Sequence, residues 1–237
     1  MDLGLTLVVL VVDRSGSMAN IREDMEGGIN ELLKAQREVS GRAVVSVYRF
    51  DDVVETVEEM KAIGEVGRFV LEPRGSTALF DSAGFAIDRT GFLLSEMEEG
   101  ARPGKVIVVM VTDGMENSSK RVTREGLLKR ITRQRETYHW EFIYMGANQD
   151  AIAVGASIGV DEKFSMSYAA TPGQVRSMNS KLSAQVRHMR GPMEASEMKD
   201  ASGFSQEDRD DVAEPESGGG ASLQTRSEKK GRGRERI

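Results

Sequence analysis

With 237 residues, a net charge of -6 and a pI near 5.2, the chain has room for one α/β domain and an appendage, and its acidity argues against generic nucleic-acid binding. Cysteine is absent, which excludes disulfide frameworks and thiolate metal sites. The apolar run at 5–12 is too short to span a membrane and lacks a basic segment before it, so neither a membrane span nor a signal peptide is expected.

That first run, Leu7 to Val12, is continuous and mostly β-branched, which predicts a strand buried on both faces in the middle of a parallel sheet. It stops at Asp13, followed by Ser15, Gly16 and Ser17. A carboxylate and two hydroxyls therefore fall at the carboxyl end of a central strand, where open α/β sheets bind ligands. In the spacing Asp13-x-Ser15-x-Ser17, alternate residues of a tight loop can turn hard oxygens toward one centre, a donor set suited to Mg²⁺ or Mn²⁺ rather than Zn²⁺. The same residues also read as helix caps and a turn, and the two readings are compatible.

Residues 18–39 carry Ile21, Met25, Ile29, Leu32 and Leu33 near helical spacing. Gly27 and Gly28 weaken that helix by roughly 1 kcal/mol each relative to Ala, which suggests close approach to the sheet. Residues 43–60 predict two strands joined by a turn at Asp51 and Asp52, the second strand alternating as a half-solvated antiparallel edge. A second loop, with Gly75 and Thr77, opens a helix over 78–97, where Asp81 reads as a first-turn complement to the helix dipole. Val106 to Val111 predict another central strand, ending at Asp113 and Gly114.

Beyond it, 122–140 reads as a helix whose Arg and Lys form a solvated face over Leu127, Leu128 and Ile131. A strand, loop and short helix over 141–160, a short strand over 161–168 and an amphipathic helix over 174–190 complete the pattern. His139 and His188 lie far apart and match no nucleophile motif. From 191 the chain turns acidic and then basic, with a Gly218-Gly219-Gly220 break, which predicts a domain over 1–190 and a disordered charged tail over 191–237.

Asp13, Ser15 and Ser17, then Thr77, then Asp113, each between a strand and a helix, resemble the metal-ion-dependent adhesion site of the von Willebrand factor A (VWA) family. The resemblance implies a three-layer α/β sandwich with a mainly parallel sheet and one antiparallel edge strand. It also implies an Mg²⁺ or Mn²⁺ ion held by those five residues, with an open position for an exposed Asp or Glu of a protein partner. Arg14, Ser76, Glu116 and Asn117 would then form the rim, Arg14 pairing with the partner's acid and Glu116 repelling wrong ones. A cytoplasmic location is expected, or a virion-associated one for a phage-encoded member, with roles such as accessory to an AAA⁺ ATPase, stress-response or phage-assembly system. The competing class is an Mg²⁺-dependent phosphoryl-transfer hydrolase using Asp13. Such enzymes typically carry Asp-x-Asp, whereas Ser15 stands at the second position and is no general acid at neutral pH. No phosphate-cradling G-x-x-x-x-G-K-[ST] loop is present either.

Overall fold

The computed structural model describes residues 1–191 and 202–213. Its strands are β1 (Asp2–Asp13), β2 (Arg42–Phe50), β3 (Val54–Ala62), β4 (Pro103–Thr112), β5 (Glu141–Ala147) and β6 (Ser165–Tyr168). The helices are α1 (Arg22–Arg37), α2 (Leu79–Glu96), α3 (Arg124–Tyr138), α4 (Ala151–Ser157), α5 (Pro172–Arg190) and α6 (Gln206–Val212). The six strands form one sheet in the order β3-β2-β1-β4-β5-β6, parallel throughout except for the antiparallel β2–β3 edge pair. This is the expected α/β sandwich. Among the described residues no helix is long and apolar enough to cross a membrane.

β1 lies between β2 and β4, in register with both from Thr6 to Val12, and every residue from Leu7 to Val12 is buried. A strand covered on both faces cannot alternate with polar residues, which explains its unbroken apolar run. The chain leaves β1 toward β2 on one side and later reaches β4 on the other, so the strand order reverses between β1 and β4. Right-handed crossovers then put α1 on one face of the sheet and α2, α3 and α4 on the other. Consistent with that, α1 packs on α5 and α2 on α3. The reversal leaves a crevice at the carboxyl ends of β1 and β4.

Two sequence expectations change. Gly28 serves close approach to α5 rather than to the sheet: a β-carbon there would lie 2.6 Å or less from the Asn179 side chain, whereas Gly27 has open space beside it. The second concerns the tail. Residues 202–213 are not disordered but dock as a strap ending in α6, with Phe204 and Val212 in the core. Phe204 N–H donates to Lys163 O (2.9 Å), and Ala169 N–H donates to Val212 O (2.8 Å). Ser205 caps α6 in a reciprocal box with Asp208, while Lys181 of α5 pairs with Asp208 and Asp211, each at 3.1 Å. Two apolar anchors and this polar complement suffice to fix a segment whose average composition reads as solvated. The remainder of the expected tail, including the basic 226–237 stretch, lies outside the described residues.

Candidate metal centre

Three loops meet at the crevice. The first leaves β1 and turns into a short 3-10 helix over Gly16–Ile21, carrying Ser15 and Ser17 just past Asp13. The second precedes α2 and carries Thr77; the third leaves β4 and carries Asp113. Ser17 Oγ donates to Asp113 Oδ1 at 2.7 Å, Ser15 Oγ reaches the same oxygen at 3.5 Å, and the two serine hydroxyls are 3.1 Å apart. A β-carbon on Gly114 would lie 3.6 Å from Thr77 Oγ1 and 3.8 Å from Ser17 Oγ, so Thr77 lines the same recess as Ser17. The structure thus brings all five expected residues together.

Asp13 is engaged on both oxygens. Ser15 N–H donates to Oδ1 at 2.6 Å, and Thr112 Oγ1 donates to Oδ2 at 2.5 Å. Burial raises its pKa from 3.8 to about 6; these hydrogen bonds oppose the shift, and the neighbouring Asp113 charge adds to it. Burial also raises Asp113, against the hydrogen bond from Ser17. Among the described residues no lysine, arginine or histidine is bonded to either carboxylate. Two buried acids without a basic partner form a site of uncompensated negative charge. No group of three or more His, Cys, Asp or Glu side chains is placed to share an ion among the described residues, so a cation here would depend on the hydroxyls. Two carboxylates and three hydroxyls are hard oxygens throughout, a donor set that fits Mg²⁺ or Mn²⁺.

The four expected rim residues divide. Ser76 and Asn117 are exposed, and Asn117 also ties the loops: Thr77 N–H donates to its Oδ1 (3.0 Å), and its own N–H donates to Thr77 O (3.1 Å). Arg14 is corrected: it is 1% exposed and turned inward, 3.1 Å from Asp51 and 2.6 Å from Glu55, so it has no reach to a partner's acid. Glu116 is corrected as well. Its Oε1 accepts from Ser118 and Ser119 N–H, and its Oε2 accepts from Phe80 N–H and Ser119 Oγ, which folds the third loop and caps α2 instead of screening partners.

Asp51 stays a turn residue, accepting from Val53 N–H at 2.9 Å. Asp81 lies in the first turn of α2 as expected but does more, accepting from the N–H groups of Lys120, Arg121 and Val122. These bonds hold its pKa below the usual carboxylate range against the opposing effect of burial.

Three residues of the site escaped the sequence reading: Thr112, bonded to Asp13, and Asn148 and Gln149. Asn148 Nδ2 donates to Asp113 O (3.2 Å) and Gln149 Nε2 to Gly114 O (3.0 Å), so the loop after β5 supports the third loop from behind. The available signal was an Asn-Gln-Asp turn at the end of a buried strand, with Asn148 at a φ of 56°, a left-handed conformation that asparagine tolerates.

No protein-family model matches the chain, and no curated protein matches it. Solved structures do. Proximal thread matrix protein 1 from the mussel byssus, with a zinc-occupied metal-ion-dependent adhesion site, aligns at a TM-score of 0.56 and 14% identity over 78% of this chain and 46% of its own. The pilus adhesin SpaC of Lactobacillus rhamnosus GG aligns at 0.58 and 12% over 79% and 31%. A von Willebrand factor type A protein from Catenulispora acidiphila aligns at 0.52 and 16% over 77% and 43%. The chain spans less than half the length of each of these proteins. Together with the six-stranded topology, these likenesses identify the fold of this chain as that of a von Willebrand factor A domain.

Proposed function

We propose that the chain is a divalent-cation-dependent protein-binding module. The observation that carries this reading is the convergence of Asp13, Ser15, Ser17, Thr77 and Asp113 in one recess whose two buried carboxylates have no basic partner among the described residues. Asp113, Ser15, Ser17 and Thr77 would hold Mg²⁺ or Mn²⁺, with Asp13 bracing Ser15 beneath them. A bound ion of this kind supplies a Lewis-acidic position for an incoming oxygen. The protein's own groups fix the recess: Asn117 sets Thr77, and the Thr112 hydroxyl orients Asp13. The partner chemistry that fits is an exposed Asp or Glu, because a carboxylate adds the charge that the neutral hydroxyls lack. The zinc-occupied site of the byssus protein supports a cation-dependent reading of this fold.

Phosphoryl transfer on Asp13 fits less well. A nucleophile needs a free lone pair facing open space, whereas Asp13 is fully buried and each of its oxygens accepts a short hydrogen bond. Calorimetry decides the first step: wild type should bind Mg²⁺ or Mn²⁺, and Asp113→Ala should not. A protein captured in Mg²⁺ should then be released by EDTA, and should lose binding when one exposed acid is changed to its amide. Equal ion affinity in wild type and Asp113→Ala would overturn the site; capture that persists in EDTA would overturn its role in binding.

A further inference from the structure

The β2–β3 turn contributes none of the five clustered oxygens, yet it carries contacts that join two of the three loops. Arg14 N–H donates to Phe50 O (2.7 Å), extending the β1–β2 pairing into the first loop. In the second loop, Arg74 N–H donates to Arg14 O (2.7 Å), and Ala78 N–H, beside Thr77, donates to Asp51 O (3.0 Å). Gly16 N–H donates to Gly75 O at 3.1 Å. Gly75 adopts a φ of 66°, and a β-carbon there would lie 2.8 Å from Asp52 Oδ2 and 3.0 Å from Asp51 Cβ. Residues 74–78 are therefore pressed onto the turn.

Asp51 stands at the centre of this arrangement. Its Oδ2 accepts from Arg74 Nε at 2.6 Å and lies 3.1 Å from Arg14 Nε, while Arg14 Nη1 donates to Glu55 at 2.6 Å. Both Arg14 and Asp51 are buried, and Arg14 Nη2 is buried without a hydrogen-bond partner. Removing two charges from water carries a large desolvation cost before their attraction offsets it. A tight turn needs no such pair, since one side-chain oxygen on a backbone N–H suffices. The pair's distinctive effect is to lock the backbone of Arg14, between Asp13 and Ser15, against the segment that presents Thr77.

The geometry points to Asp51 as the positioning residue for Thr77. Through Arg14 on one side and residues 74–78 on the other, it sets where the Thr77 hydroxyl stands relative to Ser15, Ser17 and Asp113, and so sets ion affinity and size selectivity. This rests on the ion-binding reading above. Mg²⁺ demands near-ideal octahedral geometry at about 2.0–2.1 Å, whereas Ca²⁺ accepts a looser shell at about 2.3–2.6 Å, so a displaced Thr77 penalises Mg²⁺ more.

Calorimetry on the full chain with Mg²⁺ and with Ca²⁺ tests it, using wild type, Asp51→Asn, Thr77→Ala, the double variant and Asp113→Ala. Asp51→Asn should bind Mg²⁺ about tenfold more weakly and Ca²⁺ at most about threefold more weakly. The double variant should match Thr77→Ala within about twofold, because both changes act through one ligand. Equal losses for the two ions, an unchanged Mg²⁺ affinity or additive losses in the double variant would overturn the assignment. A thermal melt monitors folding. Should Asp51→Asn not fold, Arg74→Ala removes the 2.6 Å bond from a largely exposed side chain and should also weaken Mg²⁺ more than Ca²⁺; an unchanged Mg²⁺ affinity there is equally fatal. Mg²⁺ binding that survives Asp113→Ala would instead overturn the ion-binding reading itself.

Discussion

Thr112 and Asp13 end the two central strands side by side, and the threonine hydroxyl donates to Asp13 Oδ2 at 2.5 Å. Thr112 Oγ1 also lies 3.0 Å from Gly114 O. One hydroxyl therefore bridges the first loop to the third at the point where the strand order reverses. Asp13 acts here as an anchor: its carboxylate faces protein donors, and the serines beyond it face the recess.

The raised pKa of Asp13 gives a pH signature. Between its unfolded value near 3.8 and its folded value of about 6, the folded state holds more proton than the unfolded state. Stability of the metal-free protein contributed by this group is therefore greatest below that window and is lost as pH rises through it. The full effect is roughly 3 kcal/mol as an upper bound. Denaturant titrations of wild type and Asp13→Asn without metal should differ in slope between about pH 4 and pH 6.5, with wild type losing the more stability across that window. Saturating Mg²⁺ should remove the difference. Parallel profiles without metal would mean that Asp13 is not the titrating group.

Asp113 separates charge from structure. Its carboxylate accepts from Ser17 and, more distantly, from Ser15, while its backbone oxygen is held by Asn148. Asp113→Asn keeps one acceptor oxygen and removes a buried charge next to Asp13. In EDTA its melting temperature should equal or exceed that of wild type, and the gain on adding Mg²⁺, which follows from ligand binding to the folded state alone, should vanish. A melting temperature more than about 4 °C below wild type in EDTA, on the order of 1 kcal/mol, would show that Asp113 acts mainly as a hydrogen-bonding residue.

The packing of the strap over 202–213 predicts that it belongs to the stable unit. Phe204 is 7% exposed and Val212 fully buried, and Arg209 donates to Glu162 O and Ser165 O beside β6. Truncation after Gly191 should lower the denaturation midpoint, and Phe204→Ala alone should cost about 3 kcal/mol. Proteolysis followed by mass spectrometry gives an independent check, because cleavage within 202–213 should track global unfolding. A truncated chain that melts with wild type would remove the strap from the folding unit.

What could be read in advance follows from how local each signal is. β1 and β4 announce themselves because burial on both faces demands an unbroken apolar run, and Asp13 and Asp113 mark where it ends. The oxygen cluster is legible because three loops each carry a fixed residue type in a strand-to-helix setting. Arg14 was not, since the side chain of a charged loop residue turns inward only because Asp51 and Glu55, tens of residues later, receive it. Glu116 likewise depends on Phe80 across the α2 terminus. The strap was missed because composition averages over a window, whereas Phe204 and Val212 act as two points.

The α2 terminus and the third loop clasp each other reciprocally, and Asp81 is the half that can be dissected. Its Oδ1 accepts from Arg121 N–H (2.9 Å) and Val122 N–H (2.6 Å), its Oδ2 accepts from Lys120 N–H (2.9 Å), and its own N–H donates to Ser119 Oγ (3.0 Å). Asp81→Asn retains a single acceptor oxygen. If that oxygen keeps the two-bond side, the amide nitrogen faces Lys120 N–H, donor against donor. Amide exchange at Lys120 should then accelerate on the order of tenfold while Val122 keeps most of its protection; Asp81→Ala should release all three amides and cost about 2 kcal/mol. The depressed pKa predicts the same release by acid. Asp81 contributes stability above the ordinary carboxylate range and loses it as pH falls through its lowered folded value, so exchange at 120–122, corrected for its intrinsic pH dependence, should rise only in that acid range. Uniform acceleration across the loop in Asp81→Asn, or none at Lys120, would show that the three bonds do not clamp the loop.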